Sequence, residues 1–154
     1  MKQVAMTPVT FGNRSNGLAA YKAWTESLEN DDNFPDDQNI LANRYFTHDN
    51  LVGFLAEARW YASLFLSGIT ESGDQFIHRN SIEPLLHAAA LYAGEHRLMW
   101  ELWDIAGGIG NPEGWKVFLS GEKRNKMKII IEKALQKDRL AIEHINEAIK
   151  TMEG

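Results

Sequence analysis

The chain has no cysteine, which excludes disulfides, thiolate metal sites and cysteine nucleophiles outright. It also lacks long apolar runs: nothing approaches the roughly 18 consecutive apolar residues of a membrane span. The start, MKQVAMTPVTF, has no signal-peptide core, so the Asn13-Arg14-Ser15 sequon carries no weight. These absences lead to the expectation of a cytoplasmic protein with no membrane partner. Internal repeats, low-complexity tracts and convincing β alternation are absent too.

What is present is helical periodicity, in 154 residues of 44% hydrophobic and 24% charged composition. The stretch 81–106, SIEPLLHAAALYAGEHRLMWELWDIA, is the organising element. Leu85, Ala89, Tyr92, His96, Met99, Trp103 and Ala106 step by four and three, placing them on one helical face. Leu86, Ala90, Ala93 and Trp100 form a second row that widens it. Ser81 serves as N-cap, Glu83 and Pro84 fit the first turn, and Gly107-Gly108 ends the helix. GGIG at 107–110 follows a helix rather than a strand, so it terminates a helix and is not a phosphate cradle.

Around this element the spacing predicts a helix from Gly17 to Glu29 and a short one from Asp37 to Phe46. Thr47 then caps a helix carrying Leu51, Leu55, Ala58, Ala62, Phe65 and Ile69 inward. A short helix with Trp115 and Phe118 follows, then a long one from about Glu122 to Met152. Its stripe, Ile131, Leu135, Asp138, Ile142, Ile145, Ile149 and Met152, is heptad-like and admits a homodimer with Asp138 at the seam. The fold class is all-α: one helical-bundle domain over 17–152, about four main helices plus one or two short ones, after an irregular arm at 1–16. Val4 to Phe11 could be extended, but as a strand it has no evident partner.

The net charge of −5 is unevenly spread. Residues 1–115 hold 7 basic and 15 acidic side chains, a balance of −8, whereas 116–139 hold 8 basic and 3 acidic, a balance of +5. Lys123, Arg124, Lys126 and Lys128 crowd a helix start, where the macrodipole disfavours cations by about 0.3–1 kcal/mol each. With Lys116, and with Trp115 as stacking surface, they form a candidate site for an acidic protein partner or an anion. The alternatives are a solvated face, or an internal match to the acidic loop at 29–37. The low overall pI argues against nucleic acid without excluding it as a second alternative.

Five tryptophans are many for this length. At least three are expected in a thick core, and the surplus suits an interface. The histidines and carboxylates give a rival reading, in which Glu57, His87, Glu95 and His96 bind a divalent metal in a bundle enzyme or carrier. The Glu-x-x-His pattern of di-metal bundles is missing, and His96 with Asp138 reads more simply as a buried pair or as two unrelated edge residues. Tyr21-Lys22-Ala23-Trp24, His48 and Leu85-Leu86-His87 resemble segments of DinB/YfiT-like bundles, yet Leu91 and Glu95 stand where that family's closing histidine motif would continue. Arg139 to His144 matches the spacing of HEPN ribonucleases, with apolar Leu140 at that motif's polar position. Neither carries a function across. The leading expectation is a non-catalytic bundle protein, without cofactor, that binds a macromolecular partner in a regulatory, immunity-type or inhibitory role.

Overall fold

The computed structural model describes residues 10–11, 14–72, 77–108 and 111–153. Most of the Val4 to Phe11 run, Asn13 of the sequon, residues 73–76 and Ile109-Gly110 lie outside them. The protein is an all-α bundle of four main helices: α1 Leu18–Glu29, α2 Gln38–Glu71, α3 Arg79–Ala106 and α4 Gly121–Glu153. Short 3-10 turns at Asp31–Asn33 and Gly114–Leu119 connect α1 to α2 and α3 to α4. The extended residues before α1 do find a partner, since Thr10–Phe11 pairs antiparallel with Arg14–Ser15. Central α3 packs along both α2 and α4, and the shorter α1 lies mainly on α4.

The caps follow from local chemistry. Asp37 begins α2 by accepting from the backbone N–H groups of Asn39 (2.8 Å) and Ile40 (3.1 Å). Gly107, at φ 86°, ends α3 in the left-handed region that only glycine enters without strain. Ser81 is not the cap expected of it. His78 caps α3, and Ser81 is buried one turn in, bonded to Thr151 (2.5 Å) and the Ala148 carbonyl (3.1 Å) of α4.

Two larger expectations are corrected. The helices foreseen on either side of Thr47 are one unbroken 34-residue helix. Thr47 does not cap; its hydroxyl bonds the Asn43 carbonyl one turn back (2.9 Å), as threonine does inside a helix. The inward face of α2 is also rotated from the expected one. Leu41, His48, Val52, Ala56, Ser63 and Leu66 are buried, while Leu51, Ala58 and Phe65 are exposed. On α3 the foreseen stripe is largely right: Leu85, Ala89, Tyr92, Met99 and Ala106 are buried, with His96 and Trp103 half-buried. The second row is not, because Leu86, Ala90 and Trp100 are exposed, and Ala88, Glu95 and Leu102 flank the stripe instead.

The core has two lobes. One gathers Tyr21, Leu28, Phe34, Leu41, Val52, Met99, Phe118 and Ile131; the other gathers Leu66, Leu85, Tyr92, Ala141 and Ile145. Ile131, Leu135, Ile145 and Ile149 of the α4 stripe pack into these lobes, whereas Met152 at its end is exposed. Asp138 therefore lies inside the bundle rather than at a dimer seam, with an arginine from α2 as its partner.

Candidate functional site

Between the lobes each helix contributes to one buried polar node. Arg59 of α2 donates from Nε to Glu95 of α3 (2.9 Å) and from a terminal nitrogen to Asp138 of α4 (2.9 Å). Tyr21 of α1 donates its hydroxyl to the other Glu95 oxygen, and the guanidinium lies 5.2 Å from the Tyr92 ring centre. Glu95 is wholly inaccessible to solvent. Burial raises its carboxyl to about 7, the nearby guanidinium notwithstanding, and burial raises Asp138 and the Tyr21 hydroxyl as well. Breaking one partner of a buried charge cluster costs about 3–5 kcal/mol. The node thus fixes the rotation of α2, and with it the face turned outward.

That outward face is apolar. Phe46, Phe54, Tyr61 and Phe65 are 70%, 71%, 66% and 56% exposed, and Leu51 and Leu64 stand exposed among them. Of the five charged residues in α2, only Glu57 and Glu71 are exposed. Along the α2–α3 seam the face continues as an aromatic ladder. The Trp60 and His96 rings lie 5.2 Å apart, His96 and Trp100 6.0 Å, and Trp100 and Trp103 5.3 Å. Trp60 and Trp100 are the exposed tryptophans, whereas Trp24, Trp103 and Trp115 pack against the core. With aromatic side chains at 150–250 Å² each, these eight exposed residues present on the order of 800 Å². That exceeds the roughly 300–600 Å² largest patch of a typical monomer and equals one side of a standard interface.

The basic segment is arranged differently. Arg124 is buried, donating to the carbonyls of Phe118 (2.5 Å) and Leu28 (3.1 Å) and to the Asp31 carboxylate, with Phe34 beneath it at 4.7 Å. Lys128 pairs with Glu29, Lys126 with Glu122 (2.7 Å) and Lys116 with Glu113 (2.5 Å). Lys116 also lies 5.7 Å from the Trp115 ring, which is itself half-buried. Lys123 alone of this group has no ion pair among the described residues. Arg124 and Lys128 thus take their counter-ions from the acidic segment, at Asp31 and Glu29, while Lys126 and Lys116 pair with carboxylates close in sequence.

Nor are the four metal-reading residues brought together. Glu95 sits in the node, His96 Nδ1 meets the Ala56 carbonyl (2.9 Å), and the exposed His87 ring lies tilted against that of His144, centres 5.0 Å apart. Glu57 lies on the outer groove beside Trp100 and Trp103. Among the described residues no three His, Asp or Glu side chains are grouped to hold a metal. The residue beside Asp138 in the core is Arg59, and the buried neighbour on α3 is Glu95, one position before His96. No helix of the described residues is long and apolar enough to cross a membrane. No protein-family model, curated protein or solved structure matches this chain.

The α2 face is the element that sequence reasoning missed. Its signal was present: α2 carries apolar residues in two helical phases, and one helix cannot turn both toward a single core.

Proposed function

We propose that this protein is a non-catalytic binding module whose outward α2 face docks an apolar segment of a partner protein. The observation that carries this is the row Phe46, Phe54, Tyr61, Leu64 and Phe65, exposed along a helix nearly free of surface charge. Covering about 800 Å² of apolar surface at about 25 cal/mol/Å² gives a gross term near 20 kcal/mol. That exceeds the roughly 4–15 kcal/mol lost with translational and rotational freedom. Aromatic residues are also the side chains that anchor interfaces. Within the module, the Arg59 node holds the face rigid, and the paired basic segment ties α1 to α4.

Random peptides displayed on phage and selected on the immobilised full chain provide the test. Selected peptides should be rich in apolar residues and should bind at least tenfold more weakly to Tyr61→Asp and Phe65→Asp, with unchanged circular dichroism. Enrichment of peptides indifferent to both variants would overturn the reading. So would a concentration-dependent dimer that Tyr61→Asp dissociates, since a second copy would then be the occupant.

A further inference from the structure

One groove on this face has more chemistry than the rest. Asp49, Asn50, Gly53, Phe54 and Glu57 of α2, with Trp100 and Trp103 of α3, line about 200 Å³. That lies below the roughly 300 Å³ at which small-molecule pockets begin, and it suits one inserted side chain. Three walls are aromatic. The floor is Gly53, a mid-helix glycine at which a Cβ would meet nothing within 4 Å. Glycine there costs the helix about 1 kcal/mol relative to alanine and relieves no internal contact, so the space it leaves open faces outward.

The polar content is acidic. Glu57 stands exposed at the rim. Asp49 is 5% exposed; the Trp103 side chain hydrogen-bonds its carboxyl, while Oδ1 is buried without a hydrogen-bond partner among the described residues. A buried carboxylate oxygen left unpaired is costly, and a donor supplied from outside removes that cost. Aromatic faces beside carboxylates favour a cation, above all the flat guanidinium. Among the described residues the groove lining holds no lysine or arginine, and residues 1–115 as a whole are acidic.

Resting on the docking reading above, we infer that the partner segment carries a basic residue, an arginine for preference. Its side chain enters between Phe54 and Trp100 over Gly53, and its head group meets Asp49 and Glu57. The sign of the partner is thus basic, the reverse of that suggested by the lysines of 116–128.

The probes are acetyl-Leu-Arg-Leu-amide and its citrulline counterpart, which keeps the shape and loses the charge. Both are titrated into the ¹⁵N-labelled full chain to about 10 mM, beyond the millimolar Kd reasonable for one anchor residue. The five tryptophan indole resonances are followed, with Trp100 and Trp103 assigned by Trp100→Phe and Trp103→Phe. The arginine peptide should shift those two saturably, the citrulline peptide at least fivefold more weakly. Asp49→Asn should shrink the difference between the peptides and Asp49→Asn with Glu57→Gln should abolish it, and Gly53→Leu, which fills the open floor, should abolish binding of both. Equal shifts from both peptides, no shifts at all, or an unchanged preference in Asp49→Asn would overturn the inference. Selected phage peptides that need Tyr61 but tolerate exchange of arginine for citrulline would sink this inference alone. Peptides indifferent to Tyr61→Asp would sink the docking reading beneath it.

Discussion

The start of α4 and the outer face of α2 are opposites in what the fold leaves unsatisfied. The first is dense with charge, yet Arg124, Lys126 and Lys128 each hold a carboxylate of the same chain. The second carries almost no charge, and its aromatic side chains stand largely exposed. A charge cluster announces itself in a sequence whether or not its counter-ion lies elsewhere in the same chain. An apolar face announces itself as core. On the proposed reading, binding capacity resides in groups that folding leaves free, here the apolar ones.

The largest effect that sharpens this contrast is expected at the node beneath α2. Arg59→Ala should lose about 3–5 kcal/mol in urea unfolding, because two buried carboxylates lose their partner. Arg124→Ala should come next, costing about 2–3 kcal/mol, because three charge-assisted hydrogen bonds tie α4 to α1 and its loop. If that variant weakened peptide binding without destabilising the fold, the assignment of Arg124 to structure would fail.

On the α2 face the pattern should invert. Tyr61→Asp or Phe65→Asp should leave unfolding free energy within about 0.5 kcal/mol of the parent. Binding should fall by about 2 kcal/mol or more, as at an interface hot spot. Lys123→Glu with Lys126→Glu should give the smallest change, within about 0.5 kcal/mol in both measurements.

Acidity separates the buried groups further. Glu95 is raised by burial from 4.5 to about 7, so the folded state holds its proton more tightly than the unfolded state. Its contribution to stability is full below pH 4.5 and is lost as pH rises toward 7. Burial lowers His48 from 6.5 to about 4, so its contribution is full above pH 6.5 and is lost as pH falls toward 4. Between pH 4.5 and 6.5 the two slopes oppose each other. Glu95→Gln should remove one of them, so that the urea midpoint rises with pH across that window more steeply than in the parent. An unaltered slope would contradict the assignment for Glu95.

Much of the architecture was legible in the sequence, because helix starts and stops carry their own chemistry. The α1 range, the end of α3 at Gly107 and the extent of α4 follow from glycines and periodicity. The rotation of α2 was not legible. Its inward stripe includes Arg59 and Ser63, which look polar, so the neighbouring stripe through Leu51, Ala58 and Phe65 read as the better core. Glu95 misled in the same way on α3. Its hydrogen-bond partners lie 74 and 36 positions away, at Tyr21 and Arg59, with Asp138 joined through Arg59, and no local pattern reports such a meeting. The candidate site was hidden by the same error, since the α2 face is what remains once the charged stripe is turned inward.

The central claim is tested most directly by titrating one selected peptide against three forms of the full chain: the parent, Tyr61→Asp, and Lys123→Glu with Lys126→Glu. The account predicts at least a tenfold rise in Kd for Tyr61→Asp alone. Loss of affinity in the lysine variant with Tyr61→Asp unchanged would contradict it and return the binding site to the start of α4.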